Sequence, residues 1–110
     1  MATYDQFAAL DIRVGTVVDA KVFEKARVPA YQLWIDFGDE IGIKKTSAQL
    51  TVHYALDDLI GKQLIAIVNF PVKQIGNFFS ECLVLGSVDG HGGVVVLQPE
   101  KPVDNGQKIA

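Results

Sequence analysis

Apolar and polar residues alternate in two long runs in the first third of the chain. From Asp11 to Val22 the even-numbered positions are mostly apolar, and most of the charged residues occupy odd-numbered positions. Between Tyr31 and Phe37 the odd-numbered positions are all large and apolar. A period of two is typical of a strand with one buried face. The pattern predicts two strands, with Val18 on the apolar face of the first and Val17 on the opposite face.

Three further strand regions follow from composition and turn residues. Gly38 and Asp39 predict a two-residue hairpin turn into a strand over 40–46, with Ile41 and Ile43 inward and Lys44 outward. The continuous apolar run 64–68 indicates a central strand covered on both faces. Residues 82–88 and 93–98 are rich in β-branched residues, and the glycine-rich segment between them predicts a hairpin loop.

Two capping-box patterns predict short helices. Thr3 precedes Gln6 by three residues, and apolar residues recur at helical spacing over 4–10. Thr46 precedes Gln49 by the same spacing and leads into an apolar stretch that ends at Gly61. We therefore expect one helix at the N-terminus and one between the third and fourth strands.

These elements predict an all-β fold, in which closure into a barrel removes exposed strand edges. We expect a five-stranded OB-fold Greek-key barrel with a short N-terminal helix, one short inter-strand helix and extra-barrel C-terminal strands. At 110 residues the chain predicts a single domain spanning 1–110. A small β-sandwich uses many of the same strands and stays open as an alternative.

Composition and charge narrow the class of protein. The net charge is −3, the opposite of the basic excess of most nucleic-acid binders, although Lys44, Lys45, Lys62 and Lys73 make the middle of the chain mildly positive. No apolar run approaches the roughly 20 residues of a membrane span, and the start lacks a secretory pattern. A single cysteine agrees with a reducing compartment. We expect a cytoplasmic protein without membrane insertion.

No residue pattern points to catalysis. His53 and His91 lack a second His, Cys or carboxylate at ligand spacing, so we expect neither a metal site nor a cofactor. Cys82 lies beside an apolar run, where a thiol is expected to be a small buried hydrophobic group. We expect a binding protein and not an enzyme.

Large apolar residues stand in two places where binding is a candidate explanation. Trp34 shares a strand face with Gln32 and Asp36, so the alternation turns it away from the core. Segment 69–80 holds more large apolar residues than a solvated loop normally does. Such residues either pack on the barrel or receive a partner.

Several segments closely resemble the CsaA secretion chaperones, which belong to a wider group of tRNA-binding domains. The resemblance implies an OB-fold barrel, a homodimer without catalytic activity, and two candidate ligands. One is unfolded or precursor polypeptide destined for export, with SecA as a candidate partner, and the other is tRNA. The segments that carry the resemblance are Asp11–Val17, Ser47–Gln49 and Val68–Pro71, together with Ser80, Leu83 and Leu85.

The resemblance and the residue types together give three sets of candidate residues. For polypeptide binding they are Trp34, Asn69, Phe70, Pro71, Phe78, Phe79 and Leu83. For weak tRNA binding they are Arg13, Lys44, Ser47, Asn69, Lys73 and Ser80. For the dimer they are Tyr4, Phe7, Leu10, Val103 and Ile109, which fall outside a five-strand barrel and either cover its end or join two subunits. We expect an export chaperone, with a structure-specific tRNA-binding protein as the alternative.

Overall fold

Five antiparallel strands form one curved sheet in the computed structural model, which describes all 110 residues. Their order, β3-β2-β1-β4-β7, is that of a Greek key rolled into a nearly closed barrel, and it confirms the predicted all-β OB fold. The elements are α1 (Tyr4–Ala8), β1 (Ile12–Val22), β2 (Tyr31–Asp36), β3 (Ile43–Ala48), α2 (Leu56–Leu59), β4 (Gln63–Ile67), β5 (Lys73–Ile75), β6 (Phe78–Ser80), β7 (Leu83–Val84), β8 (Gly86–Val88) and β9 (Val94–Val96).

The barrel interior is filled mainly by the alternating apolar residues of β2 and β4. Leu33, Ile35 and the following Phe37 are fully buried, as the alternation predicted. Leu64 and Ala66 of β4 are also fully buried, and Leu59 of α2 packs into the same cluster. Burial of apolar surface is the dominant stabilising contribution in a fold of this size.

A β-bulge changes the inward face of β1. The register shifts between Val17, which pairs with Ile35, and Asp19, which pairs with Trp34. Val17 is 1% exposed in the core and Val18 is 45% exposed, so the predicted faces of these two residues were wrong. A bulge inserts one unpaired residue, which breaks the period of two without any change in composition.

The turn before β3 is longer than predicted and reverses the expected faces of that strand. The N–H of Phe37 donates to the C=O of Gly42 and closes a loop through residues 38–42. Ile43 then pairs with Asp36 and is exposed, while Lys44 pairs with the inward-facing Ile35. The prediction of Ile43 inward and Lys44 outward was therefore wrong.

The helices are shorter than the sequence pattern predicted. In α1, Thr3 caps the N–H of Gln6, and the Gln6 side chain accepts from the N–H of Thr3, so the predicted capping box is confirmed. Thr46 and Ser47 lie in β3 and form no helix cap, and α2 covers only Leu56–Leu59. Neither helix has the length or the apolar stretch needed to cross a membrane.

Two hairpins extend the barrel strands. Lys73–Ile75 pairs with Phe78–Ser80 across a two-residue turn, and Gly76 has the positive φ that the first turn position requires. This hairpin occupies the segment treated above as a loop. The second hairpin joins β8 and β9 through the predicted glycine-rich loop.

The C-terminal tail runs along the part of β1 that β2 leaves unpaired. The N–H of Val14 donates to Gln107, the N–H of Gly106 donates back to Val14, and Ile109 donates to Ile12. The tail thus covers its own barrel, which is the first of the two arrangements left open by the sequence.

Candidate functional site

A groove of about 490 Å³ lies where the two edge strands of the sheet, β3 and β7, meet. One wall is formed by the end of β3 and the residues after it, 46–50. The opposite wall is formed by Ser80 and by residues 82–84, which include β7. Phe70, Pro71 and β5 border it from the side. Val94 completes the lining, so four separate parts of the sequence form one concave surface.

Side chains join the two edge strands below the groove. The hydroxyl of buried Thr46 donates to the C=O of Cys82 at 2.7 Å, and the N–H of Ser47 donates to the Ser80 hydroxyl at 2.9 Å. Lys45 exchanges two bonds with Glu81, one through the carboxylate and one through the backbone N–H of Glu81. The seam is thus closed at residues 45–47 and opens beyond them.

The groove surface is mainly apolar with one charged side chain. Phe70, Pro71 and Leu83 are exposed apolar residues on its walls. Lys73 is the only charged residue that lines it, and hydroxyls of Ser47 and Ser80 add polar groups. An apolar surface with a few polar groups is typical of sites that bind flexible or small ligands.

Cys82 contributes no reactive group to the groove. The thiol is buried, and this burial raises the pKa of Cys82 to about 12. At neutral pH the thiol is therefore protonated and acts as an apolar wall residue, as the sequence predicted.

The structure brings together half of the residues predicted to bind ligand. Those that line the groove are Phe70, Pro71, Leu83, Ser47, Lys73 and Ser80. Others lie elsewhere. Phe79 is 43% exposed, and its side chain does not line the groove.

Trp34 and Phe78 form a separate aromatic cluster on the outside of the barrel. Phe78 is buried against Phe23, and its ring meets Trp34 edge-on with centroids 6.2 Å apart. The ammonium of Lys21 lies 5.1 Å from the centroid of the Trp34 ring. Phe78 therefore offers no open surface to a ligand, and Trp34 is half-buried, because the hairpin folds back onto the barrel.

Three predicted polar contacts also lie outside the groove. The side chain of Asn69 accepts from the N–H of Asp11 and donates to the C=O of Ala9, so it holds the junction of α1 and β1. The Arg13 guanidinium binds Asp11 and the C=O of Gly106, and the hydrogen bond with Asp11 raises the pKa of Arg13. Lys44 lies on the face of β3 that points into the barrel, opposite Ile35.

The residues predicted at the dimer interface differ in exposure. Tyr4 is 77% exposed, and its ring lies tilted against that of Phe7. No residue of α1 is buried. Leu10 and Ile109 are partly buried, and Ile109 lies in the tail paired with β1. The backbone of Val103 is bound by the side chain of Gln63, although its own side chain stays exposed.

His53 has a carboxylate partner, Asp89, that is distant from it in the sequence. Its Nε2 lies 2.6 Å from Asp89 Oδ2, and the other Asp89 oxygen accepts from the N–H groups of His91 and Gly93. The hydrogen bond from His91, followed by that from His53, lowers the pKa of Asp89. No group of three or more His, Cys, Asp or Glu residues is placed to hold a metal ion.

Sequence reasoning did not select several residues that line the groove, because only the fold brings them there. They are Gln49, Leu50, Ile75, Val84 and Val94. Only Ile75 carried a usable signal, since Gly76-Asn77 after it is a two-residue turn pair that predicts the hairpin.

A Greek-key barrel whose seam opens into an apolar groove defines an OB-fold binding domain. The family follows from the sequence comparison: residues 12–108 match the model of the putative tRNA binding domain, and the chain belongs to that family.

Solved structures add a similarity to CsaA chaperones that was expected from the motifs. The CsaA chaperone of Bacillus anthracis is 53% identical, with a TM-score of 0.95, and the match covers 100% of this chain and 99% of that one. The CsaA chaperone of Picrophilus torridus is 51% identical, with a TM-score of 0.93 and full coverage of both chains. These neighbours confirm the resemblance stated above.

The curated relatives include a much longer enzyme. The methionine–tRNA ligase of Methanococcoides burtonii is 33% identical over 109 residues, which are 99% of this chain and 16% of the ligase. The chain therefore spans about one sixth of that relative, and the similarity concerns this part alone.

Proposed function

We propose that the protein is a cytoplasmic export chaperone, a homodimer that holds unfolded or precursor polypeptides in the groove, with SecA as a partner in export. The observation that carries the proposal is the open apolar groove at the seam of the barrel. Exposed Phe70 and Leu83 supply apolar contact area, and Lys73 is the single charge. The similarity to CsaA chaperones over the full chain supports the same function.

Replacing Phe70 with alanine is expected to weaken the binding of a model unfolded peptide about tenfold. Burying a Phe side chain is worth about 2 kcal/mol, and part of that is lost with the ring. Fluorescence anisotropy with a labelled apolar peptide measures the affinity.

Phe79→Ala is the matched control, because Phe70 and Phe79 are 42% and 43% exposed and only Phe70 lines the groove. We expect Phe79→Ala to leave the affinity nearly unchanged. If Phe79→Ala causes the loss and Phe70→Ala does not, the ligand binds outside the groove, at the surface that carries Phe79.

Weak tRNA binding is the second candidate function, favoured by the match to the tRNA binding domain model. We infer contact with phosphates through Lys73, the only charged residue of the groove, which predicts about a threefold loss of affinity between roughly 50 and 200 mM salt. Lys73→Gln is expected to make this dependence shallower, by about one unit in the log–log slope. A filter-binding titration measures it, and absence of binding at the lowest salt contradicts this function.

The homodimer is proposed to use the exposed face of α1. Tyr4 and Phe7 form an aromatic pair on a helix in which no residue is buried. Full-length protein is expected to sediment at twice the 12.0 kDa chain mass, and the double variant Tyr4→Ser, Phe7→Ser as a monomer. A monomer of the unaltered protein at micromolar concentration contradicts the proposal.

A further inference from the structure

The groove contains main-chain groups that the fold leaves without partners. Gln49 follows the last residue of β3, and neither its backbone N–H nor its C=O makes a hydrogen bond. The residue is exposed and lines the groove. Unpaired backbone groups at a strand edge are a template for pairing with another chain.

On the opposite wall, the register of β7 against β4 sets the direction of the backbone groups of Val84. The N–H of Leu85 donates to the C=O of Ile65 in β4, and Ile67 pairs with Leu83. Successive residues of an antiparallel strand direct their N–H and C=O groups to opposite sides. The backbone groups of Val84 therefore point away from β4, toward the side on which Val84 borders the groove.

Before Gln49 in the sequence, the backbone groups at the same edge of β3 already have hydrogen-bond partners. The backbone N–H of Lys45 donates to the Glu81 carboxylate, and its C=O accepts from the N–H of Glu81. The N–H of Ser47 donates to the Ser80 hydroxyl. The hydrogen-bonded part of the seam thus ends at Ser47, where the groove begins. Gln49 is the first residue beyond it whose backbone N–H and C=O are both free.

Resting on the proposed chaperone function, we propose that the groove holds its client by the main chain. An extended segment lies in the seam as an added strand and exchanges backbone hydrogen bonds with Gln49 on one wall and Val84 on the other. Alternate client side chains then contact Phe70 and Leu83, and the others point to solvent. Recognition of the main chain explains how one groove serves precursors of unrelated sequence, because every unfolded polypeptide carries the same backbone groups.

Gln49→Pro tests the proposal, with Gln49→Ala as the control. Proline removes the backbone N–H, and its preceding residue, Ala48, lies in a strand, the conformation that proline favours there. No intramolecular hydrogen bond is lost, since this N–H has no partner. The probe is a fluorescein-labelled peptide of alternating leucine and serine, blocked at both ends. We expect Gln49→Pro to bind it about fivefold or more weakly than Gln49→Ala, the net effect of one lost hydrogen bond.

Equal affinities of the two variants overturn main-chain recognition and leave the chaperone function standing. Absence of peptide binding by the unaltered protein overturns both. If Gln49→Pro does not fold, the unaltered protein is titrated with the same peptide N-methylated at every second residue, once at the leucines and once at the serines. Weaker binding of both methylated peptides supports the proposal, and unchanged binding of either one overturns it.

Discussion

Gly15→Val is expected to destabilise the barrel by about 3 kcal/mol, a large part of the stability of a domain of this size. Gly15 lies in β1 opposite Leu64, and its hydrogen atoms face the core. A Cβ at this position would lie 2.6 Å from Ile35 Cγ2 and 2.7 Å from Phe37 Cδ1. Both side chains are fully buried and have no space to move aside. Urea unfolding followed by tryptophan fluorescence measures the loss.

A double-mutant cycle identifies the clash as the cause. Ile35→Ala removes Cγ2 and creates space beside position 15, so the combined variant should be more stable than the sum of the two single losses predicts. We expect a coupling free energy of about 1 kcal/mol or more. Strict additivity would show that Gly15→Val acts by another route. The requirement for glycine here gives the Asp11–Val17 motif a physical basis.

Val17→Ala is expected to cost about 2 kcal/mol of unfolding free energy, and Val18→Ala less than about 0.5 kcal/mol. The two residues are adjacent and chemically identical, but Val17 lies in the core with 1% of its surface exposed, and Val18 is 45% exposed. Thermal and urea unfolding of both variants measure the contrast. Similar losses for the two would contradict the difference in burial between them, and a larger loss for Val18→Ala would restore the register expected from simple alternation.

The fold was predictable where local pattern and tertiary packing agree. In β2 every inward residue was identified, because large apolar residues alternate strictly with polar ones there. The bulge in β1 was not predictable, since Val17 and Val18 differ only in their surroundings. The capping box at Thr46 failed because the Thr46 hydroxyl bonds Cys82, a residue distant in sequence that local spacing does not reveal.

The candidate site was predictable in its side chains and not in its shape. Phe70 was selected because it is a large apolar residue in a segment expected to be polar, and Lys73 and Leu83 were selected through the family resemblance. All three line the groove. Phe78 was included for the same reason as Phe70 and is buried, because the hairpin folds onto Phe23. Gln49 and Val84 were missed because no local pattern shows that the fold places them on the groove walls.

The C-terminal tail removes a free strand edge, the kind of surface on which strands of other molecules can add. A protein with an exposed apolar groove can polymerise if it also presents an unpaired strand edge, because each molecule can then pair with the next. Here the half of β1 that β2 leaves free is occupied by Gly106, Gln107 and Ile109 of the same chain. Gln63 and Asn105 fasten the tail in place through side-chain hydrogen bonds. With that edge occupied, another chain has no free backbone groups of β1 to pair with.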